Sequence, residues 1–474
     1  MTKFISTKVV LDDGLGSPLS IFQHVRSLFT EALLLECREY KDTEKTRSFV
    51  CADSLCSFKS IDGKSITEIS GSPALVGKTE DLVSQFEAFL GSLVVEQDHD
   101  EDVALFGFAG YTSIPYFEDI EFSQKDALEI PDFSYALYRY VFVFDHSRQT
   151  LELIHTVPET ETNAPAVTAV DLIERISIRQ PARFRFSCSD EETSSMDDAA
   201  FLSGVDRIRK HIKRGDTFQT VLSRQFRRAY RGDEFEVYRA LRRINPSPFL
   251  FFFDYGSFSL FGSSPEAQLL VKDGEAKMFP IAGTFPRGVD ADEDRAFAEA
   301  LSADPKENAE HVMLVDLARN DLGRSCCEVR VERFRETEFY SHVIHLVSLV
   351  TARIEENKSA IRIFADTFPA GTLSGAPKHR AMQIIDEIEP VSRNLYGGSV
   401  GMFSLSGRCT QAIIIRSFTA KAGQLIYQAG AGIVDSSVPE NELKEVRNKL
   451  AALRKAISLA HEESNQIKGS ENNG

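Results

Sequence analysis

The sequence predicts an α+β protein in which mainly antiparallel strands carry added helices. Two observations predict it. Strand-like runs follow one another from 249 to 280 with no helix between them, which excludes a regular strand–helix alternation. Helical stripes occur elsewhere: Phe201, Val205, Ile208 and Ile212 recur at helical spacing over 199–213. With 474 residues, 42% of them hydrophobic, the chain can bury a sizeable core as one large domain or two to three smaller ones.

In chain order, residues 1–190 form a mixed region with strand-like "ALFGFAGYTSIPYFE" (104–118) and "YALYRYVFVFDH" (135–146). The acidic, serine-rich stretch 187–200, "SCSDEETSSMDDAA", reads as a linker that ends at a helix N-terminus. Residues 195–458 form a second coherent block. Its helix candidates are 199–213, 305–319, 376–388 and 439–460. Its strand candidates are 217–226, 249–254, 257–262, 267–272, 344–352, 410–419 and 424–429. The tail 461–474, "HEESNQIKGSENNG", lacks apolar content and is expected to be disordered.

A formal net charge of −17 with no basic block argues against binding nucleic acid or an anionic membrane. No apolar stretch approaches the ~20 residues of a membrane span. The opening "MTKFISTKVV" lacks the apolar core of a signal peptide. The seven cysteines are scattered without C-x-x-C spacing, which suits free thiols in a reducing cytoplasm.

Several residue patterns can carry chemistry. Glu307 and Glu310 share a helix face that continues into Leu314 and Leu317; Glu442 and Glu445 repeat the spacing, with Lys449 four residues on. Four carboxylates on two helices suit one hard divalent cation such as Mg²⁺, although Glu445 and Lys449 also match an ordinary surface ion pair. Glu266, in "LFGSSPEAQL", lies between two strands, where a desolvated carboxyl keeps its proton and serves as a general acid; a loop glutamate capping nearby amides has the same spacing. "AGTLSGAPKHRAM" (370–382) superficially resembles a phosphate loop, but its glycine spacing and its lysine position do not fit one. With "IAGTFPRG", "YGGSVG" and "QAGAGIV" it offers small-residue turns that can approach an anion or simply close hairpins. Arg416 and Lys449 are candidate cationic partners for that anion. His345 lies in an apolar strand, which suits a hydrogen-bonded core histidine as well as a catalyst.

Taken together, "IKRGDTFQTVLSR", "NPSPFLFFFD", "LFGSSPE", "PIAGTFPRG", "AEHVMLVDLARNDLGR", "VIHLVS", "GTLSGAPKHRAMQ", "YGGSVG", "AIIIRS" and "QAGAGIVDSSVPENELKEVRNK" resemble the chorismate-utilising enzymes. The resemblance is densest over 199–455 and strongest to the anthranilate synthase component I group. It implies a large two-sheet, sandwich-like core with surrounding helices, and a Mg²⁺-dependent site within 195–458. By motif, Glu310 and Glu445 would bind the metal, with Glu307 and Glu442 acting through water. Gly283, Thr284, Thr372, Gly432 and Lys449 would hold the ring carboxylate, and Tyr396, Arg416 and Gly430 the enolpyruvyl carboxylate. Glu266 would be the general acid for the departing hydroxyl, and His345 would assist loss of pyruvate.

Two positions discriminate within the resemblance. Gln219 stands where isochorismate-forming relatives carry a water-activating lysine. Ala282 stands where aminodeoxychorismate synthases carry an attacking lysine. Both departures imply direct addition of ammonia, giving anthranilate or stopping at aminodeoxyisochorismate. No amidotransferase segment is recognisable, so the resemblance implies a separate glutamine amidotransferase subunit, component II. It also implies a tryptophan feedback site in the N-terminal region. The residues are Glu36, Cys37, Asn245, Pro246, Ser247, Leu250, Phe251 and Gly262, with Cys37 where the group has a serine.

Overall fold

Two long antiparallel strands, Arg47–Ile61 and Phe133–Asp145, organise the molecule. A bulge between Ser54 and Cys56, with Asp53 at φ +61°, bends the pair midway. Such a bend re-aims the rest of the strand, so each half belongs to a different sheet. The structure, a computed structural model, describes residues 2–11, 15–37, 46–69, 72–123, 128–161, 167–178, 184–339 and 343–471.

One half pairs with Ala32–Cys37, and the sheet continues through Phe249–Asp254, Ser259–Ser264, Ser417–Lys421, Gln424–Ile433 and Gln219–Gly232. The other half leads through Ala104–Ala109, Ser399–Ser404, Cys409–Ile413, Ala267–Lys272 and Glu275–Met278 to Val343–Ile354. The two-sheet, mainly antiparallel architecture is therefore as expected. Residues before 190 and after 195 share both sheets, because Ala32–Cys37 pairs with Phe249–Asp254 and Ala104–Ala109 with Ser399–Ser404.

Strand alternation fills the layers. Leu33, Leu35, Phe251 and Phe253 pack between the sheets with Phe106, Phe108 and Tyr138. Leu34 and Phe252, one residue out of phase, face the helical side with Phe22, Tyr238 and Leu241. Among the described residues no helix is long and apolar enough to cross a membrane.

Three expectations change. The stretch 187–200 is not a plain linker: Phe186–Ser194 is a strand paired with Phe226–Gly232, although Asp197 does cap the next helix, accepting from the Ala200 amide. The tail expected to be disordered is helical as far as Glu471, because Pro439–Glu471 is one helix. His461 and Ser464 on it accept from the amides of Cys188 and Phe186, so the acidic strand and the helix end hold each other. The single strand expected at 410–419 is two strands, Cys409–Ile413 and Ser417–Lys421, one in each sheet.

Candidate active site

The site forms where the chain changes sheet. Ser259–Ser264 lies in one sheet and Ala267–Lys272 in the other, so the chain crosses at Pro265-Glu266. Cys409–Ile413 and Ser417–Lys421 cross back at Ile414–Arg416. The two crossings are bonded together: the Ile413 amide donates to the Glu266 carbonyl at 3.0 Å, and the Ser263 amide to the Arg416 carbonyl at 3.1 Å. Arg416 takes φ +48°, a left-handed conformation that costs a non-glycine residue on the order of 1 kcal/mol.

That geometry places a carboxyl and a guanidinium close enough for each to act on the other's charge. Burial pushes the Glu266 carboxyl up to about 7, opposed by a hydrogen bond from Thr372 and then by the charges of Lys449 and Arg416. Thr372 Oγ1 donates to Glu266 Oε1 at 2.9 Å. Burial also lowers the Arg416 pKa, and the Glu266 charge raises it. Among the described residues the Arg416 guanidinium makes no hydrogen bond or ion pair, which suits the bidentate capture of an incoming carboxylate. Glu266 and Thr372 also line a cleft whose walls include Leu314, Leu317 and Phe279.

His345 lies on Val343–Ile354, and its Nδ1 stands 2.7 Å from the Gly283 carbonyl. A carbonyl only accepts, so Nδ1 carries the hydrogen and Nε2 is the basic nitrogen. Burial pushes the His345 pKa down, the Gly283 bond opposes that and Arg416 adds to it, so the ring is neutral near pH 7. Gly283 itself sits at φ +68°, and a Cβ there would lie 2.6 Å from Leu301 Cδ1 and 3.2 Å from Glu307 Oε2. Only glycine fits between the imidazole and the acidic helix.

The two acid doublets meet across the helices Pro305–Leu322 and Pro439–Glu471. Burial, then the charges of Glu307 and Glu445, push Glu310 up to about 6. Burial raises Glu307 and Glu442 as well, with Glu445 contributing to both. The set is overstocked with negative charge and offers only oxygen donors, which fits a hard divalent cation. Among the described residues, no three acid or imidazole groups stand close enough to ligate one metal. Lys449 bridges this set to the strand Gln424–Ile433, 2.8 Å from Glu445 Oε1 and donating to the Gly430 carbonyl at 2.9 Å. The buried Tyr396 hydroxyl lies against the Gly430 backbone. At Gly432 a Cβ would stand 2.3 Å from Gln219 Nε2, so Gln219 lies over this glycine. The side chain of Thr284 lies outside the described residues.

Sequence reasoning missed the support behind Thr372. Arg393 donates to the Leu373 carbonyl at 2.6 Å and to Val221 O at 3.0 Å, and pairs with Glu389 at 2.6 Å. Glu389 in turn accepts from the Ser223 amide and hydroxyl, both at 2.7 Å. Glu389 and Arg393 have the i,i+4 spacing of a surface pair, yet only 4% and 1% of their side chains are exposed.

The candidate tryptophan residues converge on neighbouring strands but on two faces. Glu36 pairs with Leu250 in register and faces the helices, where Arg242 holds it bidentately at 2.7 and 2.8 Å and the Tyr238 hydroxyl donates to it. Asn245, on the same side, approaches Ser263. Cys37, Phe251 and Gly262 face the space between the sheets, where a Cβ on Gly262 would meet the Phe251 ring. Pro246 and Ser247 lie in the turn joining Phe235–Ile244 to Phe249–Asp254, and Ser247 is buried.

Residues 34–455 match the family model described as chorismate binding enzyme. The chain belongs to that family. Within it, the chain is 36% identical to anthranilate synthase component 1 of Aquifex aeolicus over 94% of this chain and 93% of that protein. It is 35% identical to aminodeoxychorismate synthase component 1 of Bacillus subtilis, covering 87% and 89%. Anthranilate synthase component I from Streptococcus pneumoniae TIGR4 has the same fold, with a TM-score of 0.72 and 31% identity over 88% of this chain and 93% of that one. Membership in the family makes the chain a chorismate-utilising enzyme.

Proposed function

We propose that the protein is anthranilate synthase component I, converting chorismate and ammonia to anthranilate and pyruvate. The observation that carries this reading is one site in which the charge of an uncommitted guanidinium, Arg416, reaches both a carboxyl poised near pH 7 and a neutral imidazole. Arg416 would take one carboxylate of chorismate, leaving Glu266 to protonate the departing ring hydroxyl as ammonia adds. His345, basic at Nε2, would serve the later loss of pyruvate. Neither Gln219 nor Ala282 offers an amine, and Lys449 is engaged by Glu445 and Gly430, so the nucleophile comes from outside. Glu310 and Glu445 would hold Mg²⁺, with Glu307 and Glu442 acting through water. When bound, this ion supplies charge neutralisation on a substrate carboxylate.

A glutamine amidotransferase subunit would supply the ammonia; the "component 1" names of the relatives imply a further component in those proteins. The B. subtilis relative favours a second reading, aminodeoxychorismate synthesis. Aminodeoxyisochorismate synthesis shares the first step of the proposed reaction, and in both the product leaves before pyruvate is lost. Mass spectrometry of products from chorismate, Mg²⁺ and ammonium decides between them. We expect anthranilate and pyruvate in equal amounts; an amino-dihydro product that keeps its enolpyruvyl group would replace this assignment with the second.

Feedback by tryptophan would enlist Glu36, Cys37 and the strands beside them. Calorimetry should detect tryptophan binding, and binding should tighten in Cys37→Ser, whose hydroxyl is the better hydrogen-bond partner. No heat of binding in either protein would remove the feedback site.

A further inference from the structure

Lys378 has no part in the scheme above, yet its ammonium is turned inward. It opens the helix Lys378–Ile388, stands 2.6 Å from Asp321 Oδ2 and donates to the Thr367 carbonyl at 2.8 Å. Only 11% of the Lys378 side chain and 8% of the Asp321 side chain are exposed. Three elements meet at this pair: the end of Pro305–Leu322, the end of Ala360–Thr367 and the end of the loop that carries Thr372. One turn before Asp321, Leu317 presses on the loop so closely that a Cβ on Gly371 would lie 2.0 Å from Leu317 Cδ2. The other charges that bear on Asp321 are Arg324 and Glu118.

A buried ion pair contributes little net stability over an apolar pair of the same volume. It does fix a register, because both charges lose their compensation when the elements slide. Here the two ends belong to elements that carry different parts of the site: Glu307 and Glu310 on the long helix, Thr372 on the loop. We propose that the Lys378–Asp321 pair is a positioning device that clamps the Gly371–Leu373 turn to the helix Pro305–Leu322, and so keeps the Thr372 hydroxyl on Glu266. The proposal rests on Glu266 being the general acid.

The test reads the Glu266 carboxyl directly, by infrared titration, with the band assigned by its loss in Glu266→Gln. Thr372, Lys449 and Arg416 are the groups that act on this carboxyl. The Thr372 hydrogen bond holds the midpoint down, so Thr372→Val should move it up. Lys378→Met, and the double variant Lys378→Met with Asp321→Leu that buries no lone charge, should move it up in the same way. Combined with Thr372→Val they should add nothing further. Turnover should fall roughly 10–100-fold in kcat, with a smaller change in KM for chorismate, and Lys378→Arg should recover most of it. A folded double variant with the wild-type midpoint, or a shift that adds to that of Thr372→Val, would overturn the proposal. Because the midpoint is read without turnover, a wild-type protein that leaves chorismate unchanged would count against the proposed reaction and not against the clamp.

Discussion

Glu266→Gln should abolish chorismate turnover, by ~10²–10⁴-fold, and at the same time make the protein more stable in alkaline buffer. The first effect follows from the role of the carboxyl. Glutamine cannot give up a proton to a departing hydroxyl, although it can still accept the Thr372 bond. For the wild type, the acid must be protonated to act, so kcat/KM should fall as pH rises through about 7. The second effect follows from linkage. An unfolded carboxyl titrates near 4.5 and this one near 7, so between those values the folded chain holds the extra proton. Its contribution to stability is whole below 4.5 and is lost as pH rises through 7. Above that, the buried charge costs the wild type up to about 3 kcal/mol relative to a neutral amide. Thermal melts at pH 5 and pH 8 test this: the gap between variant and wild type should open at pH 8. Equal gaps at the two pH values would mean that the carboxyl is not held protonated by the fold.

Such a trade of stability for chemistry needs the two chain crossings, and these mark how far the sequence could be read. The helix Pro305–Leu322 was legible from a local pattern, the face shared by Glu307, Glu310, Leu314 and Leu317, and the structure adds Asp304 as the cap of the Lys306 and Glu307 amides. The break at Arg416 was not. "CTQAIIIRSFTAK" reads as one apolar run, and only the transfer from one sheet to the other, set by pairing with Ser259–Ser264 and Ala267–Lys272, imposes the left-handed residue. The strand Phe186–Ser194 was hidden for the opposite reason. Its acidic residues have poor strand propensity, and what holds it is distant: Glu192 meets Arg454 at 2.7 Å and accepts from the Tyr427 hydroxyl. The candidate site was legible as a set of residue types, since Glu266, Arg416, His345 and the acid doublets were all singled out. Its second rank was not, because Glu389–Arg393 and Lys378–Asp321 look like solvated charges until the fold buries them.

The acid doublets carry the other large expectation. Glu310 is pushed up to about 6 by burial and by the charges of Glu307 and Glu445, so at pH 8 it is ionised against that repulsion. A divalent cation relieves that repulsion, and only the folded chain assembles the set. Mg²⁺ at a hundred times its dissociation constant should therefore stabilise the protein by about 2.7 kcal/mol. The gain should shrink toward pH 5, where protons compete for the same oxygens. Glu310→Gln removes one charge from the set. It should raise the stability of the metal-free protein at pH 8, cancel most of the Mg²⁺-dependent rise in Tm, and cut turnover by ~100-fold or more, because an electrostatic contribution of several kcal/mol is lost. These three effects have different signs, which separates them from simple damage to the helix: a damaged helix lowers Tm with or without Mg²⁺. If Mg²⁺ raises the Tm of Glu310→Gln as much as that of the wild type, the cation binds elsewhere, and the four carboxylates must be balanced by Lys306 and Lys449 alone.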